Sequence, residues 1–476
     1  MKKTFLFSLL TFSFLAAAPA MAQDDLGSPR QTIPSNLDSY SVFQEGAFGN
    51  AITGGLGITT FGNQLFYTIN FSPELAIGKL GVGLDLNLRI SQDGKLREED
   101  WNDGVSSYLR IIRYLRYGFK KEEIYARLGQ LDAARLGHGT IMYLYQNNSS
   151  YDARRVGIEF DMDFRVWGFE SVVSDVSTFN IVGIRPYVRP LAELPIPIIN
   201  GLELGATYVA DFDRNANLVA TPQSIYPASQ NGEFLFNSVQ GERRGNLSTF
   251  GLDLGLPLVR LPFFDSDFYI DYVKIIGFGD GAAVGVSASL KNLGEFITLS
   301  AKLEHRVYGE RFQMGYFDAL YEQDRLNTVF ATNDTTQIVR TRANNLANYS
   351  APGPGVYGDL GASVLGKLRL FGSYQRLYAT PRNGQLHLGA GLKDLIPSVI
   401  FRADYYKRDI GFETDLFTLD DRSLSVVELG YYPYPYLLLS VVYQWTYTPN
   451  RDADENIIGY TPVRRFEPRV SFSFRF

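Results

Sequence analysis

The sequence predicts an all-β fold: a closed transmembrane antiparallel β-barrel of about 20 strands, with a range of about 16 to 22. Three observations predict it. Apolar and polar residues alternate with a period of two from residue 56 onwards, and the connections between these rows alternate between short and long. Beyond residue 22, no apolar run reaches the length of about 18 residues that a membrane helix needs. Since open sheet edges cannot persist in hydrocarbon, a membrane-spanning fold of this chain must close into a barrel.

The alternation is clearest between residues 80 and 90, where apolar side chains share one face of an extended strand. That face holds Leu80, Val82, Leu84, Leu86, Leu88 and Ile90. Similar rows occupy residues 156–164, 202–208 and 437–447. A strand of a soluble sandwich alternates in the same way, but repetition along the whole chain favours a barrel wall with lipid on one side.

Aromatic residues concentrate at the two ends of the last apolar rows. Because aromatic rings favour the boundary between lipid and water, they predict two girdles around the barrel. The outer girdle would include Tyr443, Trp445 and Tyr447, and the inner one Tyr431, Tyr432, Tyr434 and Tyr436.

The C-terminal stretch, residues 469–476, carries the most specific pattern. Val470, Phe472, Phe474 and Phe476 fall on one face, with Arg and Ser on the other. This stretch resembles the closing strand of Gram-negative outer-membrane β-barrel proteins, in which the terminal aromatic and the alternate apolar residues form the signal read by the barrel-assembly machinery. The resemblance implies a place in the outer membrane, contact with its lipid and lipopolysaccharide, and a periplasmic C-terminus. It does not identify a family within that class.

The chain divides into three parts. Residues 1–22 predict a secretory signal peptide, with Lys2 and Lys3 before an apolar run and small residues around a cleavage point before Gln23. Residues 23–55 are polar and lack periodicity, which predicts a periplasmic N-terminal segment that either stays outside the barrel or enters its mouth. Residues 56–476 predict the transmembrane barrel, with a first strand near residues 56–61.

Loop lengths predict the orientation of the barrel once the C-terminus is placed in the periplasm. Short connections then fall on the periplasmic side and long ones outside. The predicted long loops are residues 91–106, 131–152, 214–245, 318–354, 408–421 and 448–468. Two periplasmic connections, 190–200 and 257–266, are longer than usual and contain proline. Either of the polar loops 214–245 and 318–354 would narrow a pore by folding inward, or would lie on the surface as a mobile loop.

Composition excludes several function classes. The formal charge of -6 becomes -8 when Lys2 and Lys3, two positive charges, leave with the signal peptide, and this spread acidic excess argues against nucleic acid as a partner. The absence of cysteine removes disulfides, thiolate metal sites and thiol nucleophiles. No phosphate loop, nucleotide motif or metal-ligand spacing is present, so neither a cofactor nor a metal is expected.

The residues opposite the apolar rows predict a charged lumen. The candidate pore-lining residues are Asp85, Arg89, Glu159, Asp161, Asp163, Glu203, Lys302, Glu304, Arg306, Arg402 and Asp404. A barrel of about 20 strands is wider than its own side chains can fill, so these charges either line an aqueous pore or pair across neighbouring strands. Glu159, Asp161 and Asp163 would bind cations or be met by basic residues such as Arg110, Arg113 and Arg116.

The sequence therefore predicts a channel or transporter that passes small solutes through a charged aqueous lumen. A non-transport component of an envelope assembly, for secretion, surface attachment or biogenesis, is the first alternative. An outer-membrane hydrolase centred on His138, near Ser149, Ser150 and Asp152, is the second. The other histidines, His305 and His387, lack partners in the pattern and are expected to be wall residues. No feature marks an oligomer interface.

Overall fold

The computed structural model describes residues 51–61, 64–101, 104–148, 155–220, 225–227, 241–293, 296–330, 336–348, 352–378, 384–393, 395–420, 422–451 and 457–475. Within them, antiparallel strands close into one 20-strand barrel. The predicted fold class is confirmed. The first strands are β1 (Ala51–Phe61), β2 (Gln64–Ile77), β3 (Leu80–Leu84 continued by Leu86–Ser91), β4 (Ile112–Tyr117), β5 (Ile124–Gly129), β6 (Gly157–Asp163), β7 (Trp167–Val173), β8 (Ile181–Val188), β9 (Glu203–Asp211) and β10 (Leu247–Arg260).

The remaining wall strands complete the circle. They are β11 (Phe264–Ile275), β12 (Asp280–Leu293), β13 (Ile297–Tyr308), β14 (Gly353–Val364), β15 (Leu368–Leu377), β16 (Gly384–Lys393), β17 (Val399–Ile410), β18 (Ser423–Tyr434), β19 (Leu437–Arg451) and β20 (Ile457–Arg475). The two pieces of β3 count as one strand because both pair with β2, on either side of Asp85. The first strand begins at Ala51, upstream of the predicted start.

The barrel closes where β1 pairs with β20. Ala51 lies opposite Arg475 and Gly57 opposite Arg469 in an antiparallel register. This pairing leaves neither the first nor the last strand with an open edge, which is the condition for a sheet in hydrocarbon.

Apolar side chains of the wall point outward and polar ones inward, as the alternation predicts. Leu80 is exposed on the outer face, whereas Arg89 and Glu159 are buried inside. In the closing strand, Val470 and Phe472 are 42% and 46% exposed, as expected for residues that face lipid. The side chain of Phe474 and all of Phe476 lie outside the described residues.

The two ends of the barrel differ in their connections. One end, called the long-loop end, carries the connections 92–111, 130–156, 212–246, 309–352 and 411–422. The other end, called the short-turn end, carries brief turns and the longer connection 189–202. The first residues of β1 and the last residues of β20, which pair with each other, also lie at this end. This alternation agrees with the predicted pairing of short and long connections.

Two predicted connections are wrong in length. Strand β10 extends to Arg260 and strand β11 begins at Phe264, so the expected turn 257–266 is reduced to three residues. Likewise β19 and β20 reach Arg451 and Ile457, so most of the expected loop 448–468 is strand. In both cases backbone pairing with a neighbouring strand continues beyond the apolar rows, because hydrogen bonding does not depend on side-chain polarity.

Helices and small sheets occupy the connections. The helices are α1 (Val105–Leu109), α2 (Tyr321–Asp324) and α3 (Arg342–Asn348), with 3-10 turns at Glu98–Asp100, Ile199–Gly201 and Glu413–Asp415. Short strands pair at Leu218–Ala220 with Gly241–Arg243, and at Ile225–Pro227, Thr336–Thr341 and Leu326–Phe330. Among the described residues, no helix has the length and apolar composition needed to cross a membrane.

The segment 411–420 folds against the outer surface of the barrel and corrects part of the predicted aromatic girdle. Trp445 is only 7% exposed because its indole nitrogen donates to the carbonyl of Asp420 at 3.0 Å. Tyr405 donates to the carbonyl of Leu416 at 2.6 Å, and Lys407 is fully buried beside Asp420. Trp445 therefore anchors a loop instead of meeting the lipid boundary. The exposed Tyr431, Tyr434 and Tyr436 fit the other predicted girdle.

Gly55 is expected to be essential for a tight seam. A Cβ at this position would lie 2.7 Å from both the Val470 carbonyl oxygen and the Ser471 hydroxyl oxygen. We expect Gly55→Ala to lower the free energy of unfolding of the lipid-refolded barrel by about 1 to 3 kcal/mol. The matched control is Gly54→Ala, because a Cβ at Gly54 would meet no atom closer than 3.4 Å. This variant should change the free energy of unfolding by less than about 0.5 kcal/mol. Equal effects of both variants would contradict the seam packing.

Candidate functional site

A long connection folds into the lumen and crosses it. This segment, residues 131–148, is called the lumen loop. The Gly137 amide donates to Glu170 of β7 at 2.7 Å, and Lys302 of β13 donates to the His138 carbonyl at 2.6 Å. The Tyr143 hydroxyl donates to Asp359 of β14 at 2.9 Å. Because these partners belong to well-separated strands, the loop is tied to the inner wall at several points around the barrel.

A second segment, residues 309–325, packs on the lumen loop and is called the rim segment. The Gly315 amide donates to the Thr140 carbonyl at 2.8 Å and the Tyr143 amide to the Phe317 carbonyl at 3.1 Å. Together with α3, the two segments bury a common apolar core inside the barrel. Its members include Leu131, Leu136, Ile141, Met142, Tyr145, Phe312, Met314, Phe317, Tyr321, Ala343 and Leu346. Residues 131–148 of the predicted loop 131–152 thus fold inward, and so do residues 318–325 and 342–346 of the predicted loop 318–354.

Buried ion pairs fasten the rim segment to the wall and to the lumen loop. Arg342 contacts Asp318 at 2.8 Å and Asp324 at 3.2 Å, and Arg408 of β17 contacts Asp324 at 2.5 Å. Glu322 is the junction with the lumen loop, because it accepts hydrogen bonds from the Tyr145 hydroxyl and from Arg155, both at 2.5 Å. Arg325 adds a contact to Asp211 of β9 at 3.1 Å. Each of these contacts offsets part of the cost of burying the charges.

The pKa values of two carboxyl groups in the rim segment are shifted in opposite directions. Burial raises the pKa of Glu322, but the neighbouring Arg155 and Arg325 outweigh it and hold that pKa below the ordinary value of 4.5. Burial dominates at Asp324 and, despite Arg408 and Arg342, raises its pKa from 3.8 to about 7.

The predicted acidic row lies inside the barrel and is matched by basic residues. Glu159 contacts Lys120 at 2.8 Å, Asp161 contacts Lys120 at 3.7 Å, and Asp163 contacts Arg189 at 2.6 Å. The partners are therefore Lys120 and Arg189, which lie in or beside turns at the short-turn end. They are not Arg110, Arg113 and Arg116, which the sequence suggested, because Arg113 and Arg116 belong to β4, beyond β5 from the row, and Arg110 lies in the turn before β4.

Most other predicted pore-lining residues are also buried and paired. Glu203 contacts Arg185 at 2.7 Å and Arg189 at 2.9 Å. Glu304 lies between Lys302 at 2.8 Å and Arg306 at 2.5 Å. Arg89 contacts Asp100 at 2.6 Å. Around Glu203 and Glu304 the wall charges form a dense ionic network under the inserted segments.

A second group of predicted residues keeps access to solvent inside the barrel. Arg402 of β17 is exposed, and Asp85 of β3 and Asp404 of β17 are half-buried. Arg402 and Asp404 lie on the inner face, because they alternate in phase with Arg408, which contacts Asp324 of the rim segment inside the barrel. Half-buried Glu428 and Arg469 belong to the same region. The inner wall is thus covered on one side and accessible on the other.

The three histidines lie in different environments. His138 stacks on Tyr269 with ring centroids 4.2 Å apart, and its Nδ1 lies 2.8 Å from Oδ1 of Asp271. His387 is buried, with Nε2 2.7 Å from Asp404, and His305 is exposed on the outer face. The predicted hydrolase partners Ser149, Ser150 and Asp152 lie outside the described residues. The sequence analysis did not identify Asp271 as a candidate site residue. Its inward position in the alternation of β11 was the signal that could have identified it.

The closed sheet, its apolar outer face and its charged inner face define a transmembrane β-barrel of the outer-membrane type. No protein-family model matches the chain, and no curated protein matches it.

Several solved outer-membrane barrels are similar to it at low identity. The ferric enterobactin receptor PfeA of Pseudomonas aeruginosa is 10% identical, with 90% of this chain and 81% of that chain covered and a TM-score of 0.33. OccK11 of the same organism is 11% identical, with 90% and 95% covered and a TM-score of 0.30. Wzi of Escherichia coli, an outer-membrane protein of capsule assembly described as a carbohydrate-binding β-barrel, is 11% identical, with 90% and 84% covered and a TM-score of 0.31.

Removing the Glu322 carboxylate should loosen the inserted segments. We expect Glu322→Ala to lower the free energy of unfolding by about 3 kcal/mol, because the buried Arg155 and Arg325 would lose a carboxylate that they share. Urea titration of the refolded protein measures this. Glu413→Ala is the control, since the Glu413 side chain is 72% exposed and its loss should change little. A Glu322 variant as stable as the control would contradict the anchoring role.

The same free energy should depend on pH with a maximum in mild acid. Asp324 has a raised pKa, so its contribution grows as the pH falls from about 7 towards 3.8. Glu322 has a lowered pKa, so its contribution is present above 4.5 and is lost below it. We therefore expect stability to rise from pH 7 to 4.5 and then decline. Asp324→Asn should reduce the rise and leave the decline below pH 4.5 in place, and an unchanged profile in that variant would contradict the assignment.

Proposed function

We propose that this protein is an outer-membrane channel or transporter for small solutes whose lumen is narrowed by its own loops. The observation that carries this proposal is the exposed Arg402 on the inner face of β17. A long charged side chain remains exposed inside a barrel only where water reaches it, because desolvating an unpaired charge costs several kcal/mol. Asp85, Asp404 and Glu428 extend the accessible polar surface beside it.

The inserted segments supply the constriction. The lumen loop and the rim segment cover the wall charges near Glu159 and Glu304, so solute would pass along the accessible residues of β17, β18, β20 and β3. Charges of both signs, such as Arg402 and Asp85, face this route. In this proposal they select solutes by charge, as charged rings do in other pores.

The proposed orientation places the long-loop end outside the cell and the short-turn end in the periplasm. The support is the resemblance of the closing strand to those of outer-membrane barrels, together with the distribution of loop lengths. The accessible region around Arg402 lies near the turn between β16 and β17 and would then open towards the periplasm.

A non-transport role in an envelope assembly is the second candidate. It is favoured by the apolar core that the lumen loop and rim segment share, with Leu131, Met142 and Phe317 each 1% exposed or less. A segment that buries this much apolar surface is costly to displace, so a wide gate opened by its withdrawal is disfavoured. A third reading, a hydrolase at His138, would be supported by an esterase activity abolished in His138→Ala.

The chain contains no cysteine, which allows a direct test of the proposed route. We expect the refolded protein to conduct ions in planar bilayers, and a thiol-specific bulky reagent to reduce the current of Arg402→Cys. The matched control is Leu429→Cys, which faces lipid with 57% exposure and should show no block. Sealed bilayers together with no solute uptake by liposomes would overturn the channel proposal. Block of both variants alike would overturn the route.

A further inference from the structure

Three potential metal-ligating side chains meet where the lumen loop touches the wall. His138 comes from the loop, Asp253 from β10 and Asp271 from β11. One ligand atom of each lies within 4.8 Å of the others, and this is the only such group among the described residues. Bonds of about 2.0 to 2.2 Å to one ion separate its ligand atoms by roughly 3 to 3.5 Å, so small side-chain movements would bring all three onto it.

Asp271 carries a negative charge that the protein does not fully match. Its carboxylate is 1% exposed, its Oδ1 contacts only the imidazole of His138, and its Oδ2 has no hydrogen-bond partner. A buried carboxylate normally has its oxygens satisfied by donors or by a cation. The free oxygen of Asp271 therefore indicates a missing positive partner at this point.

The surroundings carry an excess of carboxylates. Arg185 contacts three carboxylates: Asp253 at 2.5 Å, Glu203 at 2.7 Å and Glu170 at 3.5 Å. Even with Lys121 on Glu170 and Arg189 on Glu203 included, carboxylates outnumber cations once Asp271 is added. Asp253 still has lone pairs for a further ligand, because a carboxylate accepts at about four positions. A dication would offset the local excess.

His138 is held in place before any ion binds. Its ring stacks on Tyr269, and Lys302 fixes its backbone carbonyl. Gly137, with φ of 54°, turns the loop here, and a Cβ on it would lie 2.8 Å from Nε of Arg185. Gly255 leaves open space beside the imidazole, since its own Cβ would stand 3.4 Å from Nε2. A pre-positioned imidazole loses little entropy on binding a metal.

We propose that His138, Asp253 and Asp271 bind a divalent transition-metal ion of borderline softness, with Zn²⁺ as the probe. One imidazole and two carboxylates suit such an ion, whereas Ca²⁺ and Mg²⁺ prefer sites made of oxygen alone. The ion fastens the lumen loop to β10 and β11. The site is independent of the proposed transport function, since its ligands lie on the covered side of the lumen.

Zinc titration calorimetry of the untagged, full-length, refolded protein tests the site. We expect one Zn²⁺ per chain, with affinity reduced at least about 10-fold in His138→Ala and in the isosteric Asp271→Asn. The heat-dependent electrophoretic mobility of folded barrels checks that each variant is assembled, and Asp271→Asn serves if His138→Ala does not fold.

The control is His387→Ala, which removes the other histidine that contacts a carboxylate inside the barrel. The His387–Asp404 pair has the same kind of contact, at 2.7 Å, but in the part of the chain that the structure describes no second carboxylate completes a ligand group there. Zinc affinity should be unchanged in this variant. Absence of binding in the wild type, or equal affinity in the wild type and both site variants, would overturn the proposal and leave His138 and Asp271 as a simple ion pair.

Discussion

Pairing of the first strand with the last is the interaction on which the rest of the structure depends. Hydrocarbon offers no partner to a backbone amide or carbonyl, so a sheet in lipid is stable only when its two edges meet. Here Ala51 to Gly57 of β1 meets Arg469 to Arg475 of β20. Once the edges meet, each strand has one face towards lipid and one towards the lumen. Apolar rows such as Leu80 to Ile90 follow from that division, and so do the charged rows opposite them.

Closure of this many strands creates a second constraint, because the enclosed space is wider than the wall side chains can fill. The chain fills one side with its own lumen loop and rim segment. There the wall charges are buried and form close ion pairs, such as Glu159 with Lys120 and Glu304 with Arg306. On the other side Arg402 is exposed. The contrast between a covered and an accessible inner wall therefore arises from where the loops insert.

The same loops explain why some positions depart from simple alternation. Trp445 has the outward position of a girdle residue but is covered by the segment 411–420, and Lys407 faces outward while fully buried beneath it. Asp271 has the inward position of a wall residue, but the loop brings His138 to it and leaves one oxygen without a donor. A residue's strand face is thus a local property, whereas its environment depends on which distant loop lies over it.

The sequence by itself determined the fold class, the strand number within a few strands and the inward or outward face of residues such as Leu80, Asp85 and Glu159. It could do so because a period of two is set by local backbone geometry and by the contrast between lipid and water. Only the tertiary structure decided the filling of the lumen, the choice of Lys120 and Arg189 as partners of the acidic row, and the meeting of His138 with Asp253 and Asp271. Those contacts join residues far apart in the chain, and loops without periodicity carry no local signal of where they will pack.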